Sequence, residues 1–318
     1  MKVVFMGTPD FAVESLKAIY NAKYEVLGVV TNPDKPQGRG MKLTASPVKQ
    51  FALENGLKVY QPVKVKNNEE FIEELKKLNP DAIVVVAYGK ILPKEILEIP
   101  KLGCINVHAS LLPKYRGAAP IQWAIINGDK KTGVTTMYMD EGMDTGDIIL
   151  KQEVDIRDDE TTGELWGELS EIGGKLIVET LKGIEKGIAP RTKQSGDFTL
   201  APMLSKEMAK INWAAQDALQ IKNLVRGLNP IMGAYSLLNG KKIKFWKVEV
   251  ATPEEITIEN MNFLRNGTVL ISNPKDGLFI KTKSGILKVI EIQGENAKRM
   301  DIKDFLRGNK IEEFSYFE

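Results

Sequence analysis

The chain has 318 residues, 43% hydrophobic and 27% charged, which is ordinary globular composition and enough for two domains. Its 44 Lys and Arg against 42 Asp and Glu leave a net charge of +2, so nothing global calls for a polyanionic partner and any nucleic-acid surface has to be a local patch. The single cysteine, Cys104, and single histidine, His108, exclude an internal disulfide and offer no ligand cluster of zinc spacing, so no metal is expected.

One thiol fits a reducing compartment. The start, MKVVFMGTPDF, has too short an apolar run for a signal peptide, and no stretch of about 18 apolar residues would span a membrane. A cytoplasmic location is the expectation.

KVVFMG reads as a buried strand. Thr8 is placed to cap the helix that follows, with Pro9 as its first residue and Asp10 in its first turn. Phe11, Leu16 and Ile19 have helical spacing. EVLGVVT is a second strand, and a strand-helix-strand unit with short loops implies a parallel sheet. TNPDKPQGRGMKLTASP, with Arg39 between two glycines, is too long for a simple connector. It is either a functional loop or a disordered surface insertion. PVKQFALENG is a helix ending at Gly56, LKVYQ a short strand, and NEEFIEELKKLN an amphipathic helix with an Asn ahead of it. DAIVVVAYG is nearly all apolar, as expected of a strand covered by helices on both faces. PKEILEI is a short helix, GCINVHAS the next strand, and AAPIQWAIING the helix after the loop.

GVTTMYMD and DIILKQEVDI read as strands joined by EGMDTG. A long helix then runs through ELWGELSEIGGKLIVETLKGIEKG, although two adjacent glycines weaken it. Residues 189–206, rich in Pro, Gly and Ser, read as a linker. It separates a first domain, 1–188, from a second, 207–318. The second has one helix, AAQDALQIKNLVRGL, and then short strands broken by Asn-Gly, Asp-Gly and Ser-Gly turns. The fold class is therefore α/β: a mostly parallel sheet with helices on both faces, followed by a small β-barrel or sandwich.

Asn106 and His108 are two apart on a strand, so their side chains leave the same face. Such sheets bind ligands at the carboxyl ends of their strands. A carboxamide and an imidazole there suit a carbonyl oxygen that becomes negative, because both can donate to it and the imidazole can also move a proton. The alternative is a hydrogen-bonded core histidine. SLLPKYRGAAP, directly after the strand, has the composition of a binding loop and favours a site. In DEGMDTGD, Asp144 could orient His108 and stabilise its charged form, but Asp140, Asp144 and Asp147 are all equally at home in a turn. Ser110 beside His108 invites a serine-hydrolase reading, but the Gly-x-Ser-x-Gly elbow is missing. GTPDF lacks the glycine pattern of a dinucleotide loop, and Pro9 removes an N–H that a phosphate would use.

In GKKIKFWKVEV, Lys242, Lys244 and Trp246 share one face and Lys241, Ile243, Phe245 and Lys247 the other. Lysines beside an aromatic suit phosphate contact and base stacking. They equally suit an edge strand protected from aggregation by charge.

GCINVHASLLPKYRGAAPIQWAI followed by DEGMDTGDI resembles the formyltransferase family that uses 10-formyltetrahydrofolate. FMGTPDFAVESL, PDKPQGRGMKLTASPVK, VVVAYGKILP, LAPMLSKEMAKINW, NGKKIKFWK and the late FLRG resemble the branch of that family that acts on methionyl-tRNA. The likeness runs over nearly the whole chain. It implies a Rossmann-like catalytic domain and a C-terminal barrel of OB type. It also implies formyl transfer from 10-formyltetrahydrofolate, without a metal, to the amine of initiator methionyl-tRNA, by a monomer. By position, Asn106, His108 and Asp144 match the catalytic trio, and Ser110, Leu111, Leu112 and Pro113 the folate segment. Lys90, Ile91 and Leu92 fall at the pterin pocket. Arg39 matches an arginine that approaches the tRNA acceptor end, with Lys42, Lys114 and Arg116 near the pocket and Lys242 and Lys244 in the second domain as further RNA contacts. Ile231 and Met232 stand where Trp and Pro are common in the family, and IQGENAKRM is a loose version of a basic pattern. Two other readings compete: a folate formyltransferase acting on a ribonucleotide amine or an amino sugar, and a non-catalytic RNA-binding protein.

Overall fold

The computed structural model describes residues 1–37, 41–256 and 261–318. They form two compact units: 1–120, 131–155 and 166–202 in the first, and 121–130, 156–165 and 203–318 in the second.

In the first unit, strands β1 (Lys2–Gly7), β2 (Glu25–Val30), β5 (Val59–Tyr60), β6 (Ala82–Val86) and β7 (Cys104–His108) are parallel. They line up as β7-β6-β1-β2-β5, so the chain reverses its direction of travel at β1 and β6, the place where such sheets bind ligands. β9 (Lys131–Tyr138) adds antiparallel to β7, and β10 (Ile148–Asp155) antiparallel to β9. Between β2 and β5, β3 (Lys35–Gln37) and β4 (Lys42–Thr44) pair antiparallel, ahead of α2 (Pro47–Glu54).

Helices cover both faces. Val4, Met6, Ile83, Val85 and Cys104 form one core with α3 (Glu69–Leu78) and α4 (Lys94–Leu97), through Phe71, Leu75 and Ile96. The opposite face carries α1 (Phe11–Asn21) and the body of α6 (Thr162–Glu185). The paired glycines do not break α6, because they are what lets it pack. A Cβ at Gly173 would lie 3.1 Å from Val107, and one at Gly174 would lie 2.8 Å from the Glu14 carbonyl oxygen.

The start of α1 differs from the sequence expectation. Asp10, not Thr8, is the cap, accepting from the Phe11 N–H at 2.9 Å. The Thr8 hydroxyl is engaged elsewhere. The Asn32 amide donates to it and to the Tyr88 carbonyl, both at 3.0 Å, which ties together the ends of β1, β2 and β6.

The second unit holds α5 (Pro120–Ile126) from Ile121 onward, α7 (Ala218–Gly227) and the antiparallel sheet β12-β13-β16-β15-β14. These strands are β12 (Ala234–Leu238), β13 (Lys241–Val250), β14 (Val269–Asn273), β15 (Gly277–Lys281) and β16 (Ile286–Gln293), with β17 (Met300–Asp301) beside β16 and α8 (Ile302–Gly308) after it. Asn239 and Gly240 have φ of 50° and 76°, the left-handed pair that a two-residue hairpin requires. α7 begins at Ala218, later than its apolar pattern suggests, because Asp217 and Gln220 form a reciprocal capping box. Residues 156–165 are tied in by Arg226, which donates to the carbonyls of Arg157 and Glu160 at 3.1 and 3.2 Å and to the Asn223 side chain.

Candidate active site

β7 delivers the site. Ile105 and Val107 are buried on one face of the sheet, and Cys104, Asn106 and His108 alternate onto the other. Burial pushes the Cys104 thiol up to about 12, so it is an inert core group. Asn106 and His108 lie beyond it, toward the carboxyl end.

Asp144 meets both. Its Oδ1 is 3.4 Å from Asn106 Nδ2 and 3.7 Å from His108 Nδ1. The first is a long hydrogen bond and the second an ion-pair distance. His108 Nε2 lies 2.9 Å from the Tyr115 carbonyl oxygen. A carbonyl can only accept, so Nε2 carries a hydrogen and donates. Nδ1 is then the nitrogen turned to the carboxylate. The His108 and Asp144 side chains are 7% and 14% exposed and Asn106 is half-buried, so the cluster is sheltered yet open to solvent through Asn106 and Asp144.

The three aspartates of the turn separate by role. Asp140 accepts from the Gly142 N–H at 3.0 Å and the Thr145 hydroxyl at 2.6 Å, which builds the turn. Asp147 pairs with Arg191 at 2.8 Å. Asp144 alone of the three faces Asn106 and His108, and its Oδ2 accepts from the Gly117 N–H at 2.8 Å. It sits at φ 53°, a left-handed conformation that Asp tolerates better than most residues. Gly146 permits the turn, since a Cβ there would lie 1.7 Å from the Tyr138 carbonyl oxygen.

The loop after β7 is held from inside. Ser110 is fully buried, and its hydroxyl donates to the Lys114 carbonyl at 2.6 Å. It is a staple and has no nucleophile geometry. Thr135 donates to the Ser110 carbonyl at 2.7 Å and accepts from the Leu112 N–H at 3.2 Å. Leu112 is buried, while Leu111 and Pro113 are partly exposed. The loop ends in β8 (Arg116–Gly117), which pairs in parallel with β11 (Leu200–Ala201).

At the end of β6, Lys90 donates to the Pro62 and Val63 carbonyls at 2.7 and 2.9 Å. Desolvation, and then Lys35, hold its ammonium below the ordinary lysine value. Ile91 is 76% exposed and Leu92 is buried.

The basic residues divide. Lys114 and Lys242 are exposed, and the Lys242 ammonium lies 3.7 Å from the centre of the Tyr235 ring. The Arg116 guanidinium is bound by Gln194 Oε1 at 2.7 and 3.2 Å and stacks 4.8 Å from the Phe198 ring centre. Lys244 donates to the Met232 carbonyl at 2.9 Å. Trp246 does not stand as an open stacking face beside these lysines. It is 9% exposed and donates to Gln293 at 2.9 Å, because irregular pairing with β16 around Lys247 breaks the alternation of β13. Arg39 lies outside the described residues, as does the side chain of Lys42.

Sequence reasoning missed Gln194, Thr199, Tyr115 and Gly117. Tyr115 and Gly117 act through the backbone, which a side-chain motif does not advertise. Gln194 and Thr199 sit in a stretch whose composition reads as linker. Among the described residues, no group of three or more His, Cys, Asp or Glu side chains could hold a metal ion, and no helix is long and apolar enough to cross a membrane.

A carboxamide, an imidazole and a carboxylate converge at a strand end, groups that could stabilise a carbonyl oxygen as it becomes negative. The family model described as "Formyl transferase" matches residues 1–181, and "Formyl transferase, C-terminal domain" matches 203–310. The chain is 54% identical over 313 residues to the methionyl-tRNA formyltransferase of Clostridioides difficile, with 98% of each chain covered. It is 51% identical over 314 residues to that of Caldanaerobacter subterraneus, again with 98% of each covered. Among solved structures it is similar to an N-formyltransferase from Helicobacter canadensis in complex with folinic acid and dTDP-3-aminofucose. That match has a TM-score of 0.66 and 21% identity, covering 94% of this chain and 100% of that one. It is also similar to HypX from Aquifex aeolicus in complex with tetrahydrofolic acid, at TM-score 0.65 and 16% identity, where it covers 99% of itself and spans about half (51%) of that chain. The chain belongs to the formyl transferase family.

Proposed function

We propose that this protein transfers a formyl group from 10-formyltetrahydrofolate to the α-amine of initiator methionyl-tRNA. The observation that carries the reading is the convergence of Asn106 and His108 on Asp144 at the carboxyl end of β7. Relatives about half identical over nearly their whole length carry the name methionyl-tRNA formyltransferase, which favours tRNA over a small amine as acceptor.

The residues present fit the donor. Among the described residues, the backbone groups of Ile91 and Leu92 have no partner within the chain, as recognition of a pterin edge by backbone requires. Exposed Ile91 and the Leu111–Pro113 turn offer apolar surface. When bound, the folate supplies the formyl carbon, carried on N10.

An α-amine has an ordinary pKa of about 8, so about a tenth of it is neutral at pH 7 and able to attack. Asn106 Nδ2 and His108 Nδ1–H donate to the formyl oxygen as it gains negative charge. Asp144 balances the imidazolium, takes the proton that the attacking amine sheds, directly or through water, and passes it to N10 as the bond from N10 to the formyl carbon breaks, so that tetrahydrofolate leaves. The Tyr115 carbonyl fixes the ring so that Nδ1, not Nε2, faces the reaction. In the second unit we read the antiparallel sheet as an OB-like barrel that contacts RNA. The irregular pairing of β13 supports strong bending there, and exposed Lys242 supplies charge.

The test is formylation by the purified protein of charged initiator methionyl-tRNA, elongator methionyl-tRNA and an amino-sugar nucleotide, with 10-formyltetrahydrofolate as donor. Preferential formylation of the initiator is expected. Formylation of the amino sugar alone would replace the reading with the small-amine one, and no transfer to any acceptor would reject it.

A further inference from the structure

Residues 191–200 are exposed with one exception: Gln194 is turned inward. Its carboxamide sits between two parts of the site that come from different stretches of chain. Nε2 donates to the carbonyl of Asp144 at 2.8 Å and to that of Gly146 at 2.9 Å. Oε1 accepts from the Arg116 guanidinium. Carbonyls need a donor and a guanidinium needs an acceptor, so only a primary carboxamide serves both from one side-chain end, and only in this orientation.

The flanking residues reinforce the clamp. Thr192 and Ile148 exchange backbone bonds at 2.8 and 2.9 Å, which pins the strap to the far end of the Asp144 turn. The Thr199 hydroxyl accepts from the Tyr115 N–H at 2.8 Å, and the Thr199 carbonyl from the Arg116 N–H at 2.9 Å. Tyr115 is the residue whose carbonyl orients His108, and Gly117 the one whose N–H holds Asp144. The strap therefore touches the backbone support of both the acid and the imidazole, and Gln194 is where the two supports meet.

We infer that Gln194 is a positioning residue: it sets the angle at which Asp144 faces Asn106 and His108, and so acts on formyl transfer without touching substrate. The inference rests on the function proposed above. Gln194→Glu keeps the size and the acceptor toward Arg116 but removes the donor to the two carbonyls, whereas Gln194→Leu removes both. Each variant is expected to lower kcat about 10-fold or more, with KM for methionyl-tRNA and for 10-formyltetrahydrofolate within about twofold of the parent.

A second readout needs no substrate. His108 is the only histidine, so its ring protons give a single set of imidazole signals. Those signals should move in both Gln194 variants in the direction they move in Asp144→Asn. An unchanged kcat in Gln194→Glu, a loss confined to KM, or unmoved His108 signals would each overturn the assignment. If the parent protein fails to formylate methionyl-tRNA, the proposed reaction is wrong, and the His108 signals alone decide whether Gln194 positions Asp144.

Discussion

His108 donates from Nε2 to a backbone carbonyl, and this leaves Nδ1 as the nitrogen that faces Asp144. The strand period made the pairing of Asn106 with His108 readable from sequence, because residues two apart must share a face. Asp144 was readable only through the family resemblance: by their residue chemistry all three aspartates of DEGMDTGD suit a turn, and tertiary placement is what separates the turn cap Asp140, the Arg191 partner Asp147 and the Asp144 that faces Asn106 and His108. At φ 53°, position 144 also penalises residues with less tolerance for the left-handed region than Asp or Asn. Asp144→Asn should therefore keep the native melting temperature, while Asp144→Ala lowers it; both should lose most of their turnover. Thermal melts beside kinetics check this, and a stable, fully active Asp144→Asn would remove the carboxylate from the chemistry. Cys104 gives a second expectation at this scale. A buried thiol pushed up to about 12 holds almost no thiolate at pH 8. The native protein should leave a thiol-reactive chromogenic disulfide unreduced over minutes, and the unfolded chain should react with one equivalent. Fast reaction in the native state would mean that β7 is open on its α4 side.

Among the elements, the parallel strands were legible because unbroken apolar runs such as AIVVV belong to a sheet covered on both faces. The start of α1 was not, because Thr8 and Asp10 have equal capping chemistry and the contest is settled by Asn32 and Tyr88, which claim Thr8. β8 and β11 were invisible: each has only two residues, and they pair across more than eighty positions of sequence. Their closeness is enforced by Gly117, at φ 125°, where a Cβ would lie 2.7 Å from the Ala201 carbonyl oxygen. Gly117→Ala should push β8 off β11 and withdraw the N–H that holds Asp144. A fall in kcat of about 10-fold or more is expected, with the circular dichroism of the sheet preserved. Unchanged kinetics would show that this pairing does not support the site.

For the whole molecule, a net charge of +2 means that binding to a polyanion depends on where the cations stand rather than on their sum. Lys114 and Lys242 are exposed, Lys242 with its ammonium over the Tyr235 ring, whereas Lys244 and Arg116 are already engaged within the chain by hydrogen bonds. KM for methionyl-tRNA should rise with salt with a log–log slope of about 2 or more, since each neutralised phosphate adds roughly 0.7–0.9. KM for the folate donor should change little over the same range. Parallel slopes for both substrates would argue against a separate phosphate-binding surface.

The most direct measurement of the central claim is the single-turnover rate of formyl transfer in Asn106→Ala, with both substrates saturating. If Asn106 and His108 together hold the oxygen that becomes negative, the rate falls about 100- to 1000-fold while both substrates still bind. A rate within about threefold of the parent would contradict the account, because an amide that donates to the developing charge cannot be removed without cost to the transfer step.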